Sequence, residues 1–146
     1  MSDKVIENAP SKDMEERYFK IWTAEQEHTK TRWTVSTFFF SVSFAIFGFS
    51  FQAQLSKPLA NVARLSGLVI YWFAYLIFAQ FNHYTRFLRN YLKELEDRGQ
   101  TTIKLQTGSE QFMKSKNTRI MSATRLLLYF GILYAIVVII LWVIPL

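Results

Sequence analysis

The chain has 146 residues, no cysteine, and 17 basic against 11 acidic residues, and hydrophobic residues make up 51% of it. The length suits a single domain, and the lack of cysteine excludes disulfides and thiolate chemistry. No phosphate-binding loop, catalytic triad or zinc-ligand spacing occurs, so we expect neither an enzyme nor a cofactor or metal site.

The first 32 residues are polar and charged. No apolar core precedes a cleavage site, so we do not expect a secretory signal. We predict a disordered tail over residues 1–12 and a single membrane domain over residues 13–146. Asp13 and Glu16 have the spacing of a capping box, which predicts that a helix starts there.

Three long runs carry no charged side chain: Trp33 to Phe51, Leu65 to Phe81, and Leu126 to Leu146. An α-helix needs roughly 20 residues to cross the hydrocarbon core of a bilayer. The sequence therefore predicts an all-α, polytopic membrane protein with spans at about 33–52, 60–82 and 125–145, called spans one, two and three. Arg64 lies near the outer end of span two, where a long side chain can reach the interface; lining a pore is the alternative.

The basic residues indicate the orientation in the membrane. All but Lys57 and Arg64 precede span one or lie between spans two and three. Because cytoplasmic loops retain positive charge, we place the N-terminus and residues 83–124 in the cytoplasm. The turn at 52–58 and the C-terminus then face outward, as in a multi-pass protein of the inner (plasma) membrane.

The cytoplasmic segment 83–124 is predicted to be a helical hairpin. Gly99 is a natural C-cap, and Ser109 can cap a third helix that continues into span three. Three long helices would then extend into a cytoplasmic helical stalk. Apolar residues at heptad spacing form the expected seam of this stalk: Phe81, Tyr84, Leu88, Tyr91 and Leu95.

Span one carries small residues on two faces, and small residues let helices approach closely in lipid. Three helices in one protomer do not need two packing faces on the first, so the surplus face predicts a homo-oligomer with span one near the symmetry axis. The alternative is that both faces pack against spans two and three of the same chain. The first face, a candidate pore or packing face, comprises Thr34, Thr37, Ser41, Ala45 and Gly48. The second comprises Ser36, Ser43 and Ser50, and the packing residues of span two include Ala63, Gly67 and Ala74.

The hydroxyl-bearing face of span one could line a hydrated path, or its hydroxyls could bond back to their own helix. No Asp, Glu or Lys lies within any span. A proton-coupled carrier or a voltage sensor normally carries such charges, so both classes are disfavoured.

Basic residues of segment 83–124 would attract anionic lipids of the inner leaflet. A cytosolic protein or a nucleotide is the alternative partner, and we expect no nucleic acid. The residues proposed for this binding are Arg86, Arg89, Lys93, Lys114, Lys116 and Arg119. His28 and His83, with Glu25 or Glu27, could form a metal or pH-sensing cluster, but two histidines favour interfacial polar residues instead.

The segments YFKIW at 18–22, TRW at 31–33 and TFFFSVS at 37–43 resemble small bacterial membrane proteins of the SLATT and RipA-like groups. Those proteins place an aromatic-rich helix and an arginine directly before a span that begins with phenylalanines. They usually have two spans and a cytoplasmic helical tail, whereas this chain has a third span. The resemblance implies a homo-oligomeric membrane protein, in some cases a pore-forming effector.

We therefore expect a homo-oligomeric inner-membrane protein of the pore-forming or membrane-effector type, whose basic stalk senses a cytoplasmic signal. The alternative is a non-conducting scaffold or accessory subunit that recruits a cytosolic partner. A holin-like lysis protein is disfavoured because no charged cytoplasmic tail follows span three.

Overall fold

A computed structural model describes residues 12–52, 54–115 and 122–144. These residues form four helices and no strand: α1 (Lys12–Phe49), α2 (Lys57–Asp97), α3 (Leu105–Ser115) and α4 (Ala123–Val143). Three of them, α1, α2 and α4, are long and apolar enough to cross a membrane. The predicted all-α class with three candidate spans is therefore confirmed, while the predicted tail lies outside the described residues except for Lys12.

The start of α1 differs from the prediction. Asp13 is the second residue of α1, within its first turn, and not a cap. Glu16 forms an ion pair with Lys20 one turn later, at 2.7 Å. The capping box at these two positions is therefore wrong, because the Glu16 carboxylate is bound to a cation on its own helix.

The ends of α2 follow from a proline and a glycine. Pro58 is the second residue of α2, where its fixed φ fits and its missing N–H costs nothing. At the other end Gly99 has a φ of 67°. The N–H of Gln100 donates to the Leu95 carbonyl at 3.1 Å, and the N–H of Gly99 donates to the Glu96 carbonyl at 3.1 Å. This is a Schellman motif, so the C-cap predicted at Gly99 is confirmed.

The predicted third helix, starting at Ser109 and running into span three, is wrong. Ser109 lies inside α3, which starts at Leu105. Ser122 has extended backbone, and its hydroxyl accepts from the Arg125 N–H at 3.4 Å, so α4 starts anew at Ala123. Helix α3 and helix α4, the third candidate span, are therefore separate helices.

The chain forms two compact units. Unit 1 comprises residues 1–28 and 83–119, and unit 2 comprises residues 29–82 and 120–146. Helices α1 and α2 contribute to both. We describe each unit by itself.

Unit 1 has a small apolar core. Tyr18, Leu92 and Leu95 are buried in it, with partly buried side chains such as Trp22 packed around them. The predicted seam is correct at Leu88 and Leu95 but wrong at Tyr84, which is 48% exposed. Four buried residues of α2 in this unit step by three and four along a slightly different line: Thr85, Leu88, Leu92 and Leu95. Glu96 is also buried, beside the end of this line.

Unit 2 packs α4 against aromatic side chains of α1 and α2. Tyr71, Tyr134 and Val138 form its buried cluster, and Phe40 and Phe47 pack against it. The helices approach closely at Gly131, where an added Cβ would lie 2.8 Å from the Tyr71 ring. The Tyr71 hydroxyl donates to the Leu127 carbonyl of α4 at 2.7 Å. These contacts decide which sides of α1 and α2 remain uncovered.

Candidate functional site

The candidate site is the surface of α1 within unit 2, which has two faces of small residues. Ser36, Ser43 and Ser50 recur every seven residues and are all buried. The Ser43 hydroxyl donates to the Gly67 carbonyl of α2 at 2.8 Å, and the Ser50 hydroxyl donates to the Phe47 carbonyl at 2.6 Å. We call these three residues the serine face; it is used in packing within the chain.

The opposing surface of α2 is built from the small residues that the sequence indicates. Ala63, Gly67 and Ala74 are all buried. An added Cβ at Gly67 would lie 2.5 Å from the Tyr134 hydroxyl and 3.0 Å from the Ser43 carbonyl oxygen. Because one of these neighbours is backbone, the close approach of the three helices depends on glycine at this position.

The other face of α1 has no partner among the residues that the structure describes. All five of its residues are exposed, and an added Cβ at Gly48 would meet nothing within 4 Å. The face runs for about 21 Å along the helix, at about 1.5 Å per residue. We call it the open face; it comprises Thr34, Thr37, Ser41, Ala45 and Gly48.

The position of α4 explains why the open face is uncovered. Tyr134 of α4 stacks on Phe44 at a ring-centre distance of 5.7 Å and meets Phe47 edge-on at 4.9 Å. The third helix is therefore seated on the phenylalanine side of α1. In unit 2, intrachain packing uses the serine face and the phenylalanines, and leaves the open face available.

A polar cluster lies where α1 and α2 enter unit 2. The Arg32 guanidinium donates to the Asn82 side-chain oxygen at 2.8 Å, and the Asn82 amide donates to the Thr124 hydroxyl at 3.3 Å. The guanidinium also lies 4.9 Å from the centre of the Phe78 ring. Asn82 and Thr124 were not predicted as a pair, since they are 42 residues apart and neither belongs to a recognisable motif.

The predicted basic surface of unit 1 is partly neutralised by carboxylates of the same chain. Arg89 binds the fully buried Glu25 at 2.7 Å, and Lys93 binds Glu110 at 2.8 Å. Arg86 is exposed. Because two of the cations already have anionic partners, the binding surface proposed from the sequence is smaller than the charge count indicates. Lys116, Arg119 and the side chain of Lys114 lie outside the described residues.

Glu96 anchors α3 in unit 1, a role that the sequence did not reveal. Its carboxylate accepts from the backbone N–H groups of Gln106 and Thr107 at 2.7 and 2.8 Å, and from the Tyr18 hydroxyl at 2.5 Å. Burial alone would raise the pKa of Glu96, but the hydrogen bonds from Thr107, Tyr18 and Gln106 outweigh burial and hold it below the ordinary value. Burial, together with Glu96, raises the pKa of Tyr18. The carboxylate thus acts as the N-terminal cap of α3, which explains why the helix starts before Ser109.

The histidines do not form the metal cluster considered from the sequence. The His28 ring packs on Tyr84 at 4.7 Å between ring centres, and His83 is exposed. Among residues 12–52, 54–115 and 122–144, no group of three or more potential metal ligands occurs. The structure therefore favours His28 as an aromatic packing partner.

We compared the chain with known proteins. No family model, curated protein or solved structure matches the chain. The candidate site therefore rests on its own contacts, and the open face of α1 is its distinguishing feature.

Proposed function

We propose that this chain is a multi-pass protein of the inner (plasma) membrane that self-associates through the open face of α1. The three apolar helices support insertion into a membrane. The basic residues on either side of the spans support an orientation with a cytoplasmic N-terminus and the C-terminus outside.

One observation carries the proposal: α1 has two faces of small residues, and intrachain packing uses only one of them. In lipid there is no hydrophobic force between helices, so association depends on close packing and hydrogen bonds between small and hydroxyl-bearing residues. The open face offers both along about 21 Å of helix. The same face on a second copy offers the same small and hydroxyl-bearing residues, which favours a homo-oligomer with α1 near the axis.

Self-association is tested by placing leucine on the open face. We expect Ser41→Leu to shift the protein from oligomer to smaller species in native mass spectra recorded from mild detergent. Ser66→Leu is the matched control, because Ser66 is an exposed serine of α2 in the same unit and is not on the open face. A wild-type monomer, or equal effects of the two variants, contradicts the proposal.

Within such an oligomer the proposed activity is that of a pore or membrane effector. Thr34, Thr37 and Ser41 bring hydroxyls to the axis, where they can line a hydrated path or seal it. Unit 1 would then respond to a cytoplasmic signal. We expect membrane leakage on overexpression of the wild type, and its loss in a Ser41→Leu, Gly48→Leu double variant. Equal leakage from both overturns pore formation and leaves self-association standing.

A non-conducting scaffold is the second candidate function, and the surface of unit 1 favours it. Unit 1 contains all the acidic residues of the chain. Even so, two of its apolar side chains are exposed, Phe19 by 44% and Phe87 by 63%. Leu88 and Leu95 of the predicted seam are buried, so they cannot bind a partner directly. For a scaffold, Phe87→Ser would lose a cytosolic partner in a pull-down that Asn90→Ser, at an exposed polar position of α2, retains.

A further inference from the structure

An open cleft of about 310 Å³ lies in unit 2, where α1 ends, α2 begins and α4 ends. Trp142 and Phe51 form part of its wall. Its polar lining comes from five side chains at the start of α2 and the end of α1: Ser50, Gln52, Lys57, Asn61 and Arg64.

Among the described residues, neither cation of this cleft forms an ion pair with an acidic side chain. All 11 acidic residues of the chain belong to unit 1, and the sequence of unit 2 contains no Asp or Glu. The Arg64 guanidinium instead donates to neutral oxygens: Ser50 at 3.3 Å, Asn61 at 3.2 Å and the Leu141 carbonyl at 3.1 Å. These bonds hold the side chain in place without neutralising its charge. Lys57 is exposed at the edge of the same cleft.

An apolar groove of about 170 Å³ continues from the cleft. It shares Asn61, Arg64 and Trp142 with the cleft, and Val62, Leu65 and Val138 complete its walls. Val138 lies one helical turn before Trp142, and Leu65 follows Arg64, so the groove runs from the ends of the helices toward their middles. A charged cleft that leads into an apolar groove matches a ligand with an anionic head and an apolar tail.

We propose that this cleft and groove bind an anionic phospholipid, with its phosphate between Lys57 and Arg64 and part of one acyl chain along Val62, Leu65 and Val138. Guanidinium and ammonium groups are strong donors to phosphate, and the N-terminus of α2 adds partial positive charge at the same place. Under the proposed orientation this is the leaflet opposite the cytoplasm. The inference rests on the membrane insertion of the proposed function but not on self-association.

The test is lipid retention by the full-length protein in native mass spectra, with phosphatidylglycerol and phosphatidylcholine of identical acyl chains. We expect the wild type to prefer phosphatidylglycerol about tenfold, which corresponds to about 1.4 kcal/mol. Lys57→Gln with Arg64→Gln should abolish the preference. Lys30→Gln with Arg125→Gln, an equal loss of charge at exposed positions elsewhere in unit 2, should preserve it.

Further variants keep the test decisive if the Arg64 variant does not fold. Lys57→Gln alone removes one positive charge from an exposed side chain, and we expect it to weaken the preference for phosphatidylglycerol about threefold. Val62→Trp should block the groove and reduce retention of phosphatidylglycerol while leaving the cations in place. Equal retention of both lipids by the wild type, or an unchanged preference in Lys57→Gln, overturns the inference.

Inorganic phosphate separates a lipid headgroup from a free anion. Millimolar phosphate should not displace phosphatidylglycerol if the acyl chain contributes to binding. If phosphate does displace the lipid and Val62→Trp has no effect, the cleft is assigned to free phosphate and the lipid proposal is overturned. The same spectra report the number of subunits. A monomer that still selects phosphatidylglycerol overturns self-association and retains the lipid site.

Discussion

The two units of this chain satisfy their polar groups in different ways. In unit 1 carboxylates do so: Glu25 binds Arg89, and Glu96 caps α3. Unit 2 has no carboxylate side chain, and hydroxyls such as those of Ser43 and Tyr71 donate to helix carbonyls instead. The difference supports the proposed insertion of unit 2 into a membrane, because an unneutralised carboxylate is costly in hydrocarbon whereas a hydroxyl can bond to a nearby carbonyl.

The units also differ in how their helices meet. Unit 1 uses large side chains, with Tyr18 and Leu92 completely buried. Unit 2 combines aromatic packing with close approach at Gly67, where no side chain fits. Substitutions that disrupt the characteristic contact of one unit or the other therefore test whether these contacts determine the stability of the protein.

The largest effect is expected from Glu96→Ala in unit 1. It leaves the Tyr18 hydroxyl and the N–H groups of Gln106 and Thr107 without their acceptor. Losing a buried charged acceptor with several donors costs about 3 kcal/mol, so we expect the amides of α3 to lose protection in hydrogen exchange. Glu94→Ala is the control, since its bond to Arg98 is exposed and should matter little. Equal protection of the α3 amides in both variants would contradict the capping role of Glu96.

In unit 2, Gly67→Ala should lower the free energy of unfolding by about 2 kcal/mol. The added methyl meets the Ser43 carbonyl, which is backbone and cannot move away without shifting α1. The measurement is unfolding in mixed micelles. Gly48→Ala adds the same methyl where nothing in the single chain lies within 4 Å, so it should not destabilise the monomer. The comparison is therefore made on the monomeric species, because Gly48 belongs to the proposed contact between copies. A destabilised Gly48→Ala with a neutral Gly67→Ala would reverse the assignment of the two faces.

A smaller effect is expected from Arg89→Gln, about 1 kcal/mol of stability in unit 1. The Glu25 carboxylate is completely buried and would lose a charged partner, but the Arg89 side chain is half exposed, which weakens the pair. Thermal unfolding of this variant is compared with that of Arg86→Gln, another exposed arginine of α2. If both variants unfold alike, the pair contributes nothing beyond a surface charge.

The smallest effect concerns pH. Because the pKa of Glu96 in the folded protein lies below its ordinary value of 4.5, its stabilisation is complete above that value and is lost as pH falls through the folded pKa. Amide exchange of α3, corrected for its intrinsic pH dependence, should therefore show lost protection below about pH 4.5. Glu96→Gln should lack this step, and a step that persists in that variant would assign it to another carboxylate.

Much of the fold could be predicted because its signals are local. The length of the uncharged runs indicated three candidate spans, and Gly99 marked the end of α2. The capping of α3 could not be predicted in this way. Its acceptor, Glu96, precedes the helix by about ten residues, whereas Ser109 has the local appearance of a cap but lies inside the helix.

The sequence by itself determined that α1 carries two faces of small residues, since helical periodicity assigns residues to faces without any partner. Only the tertiary structure decided which face is used in the chain: Ser43 meets Gly67, α4 occupies the phenylalanine side, and the open face remains uncovered. The same holds for charge. In the sequence, every acidic residue lies outside the predicted spans. The partners of Arg89 and Arg64, however, depend on the register between helices, which no local pattern specifies.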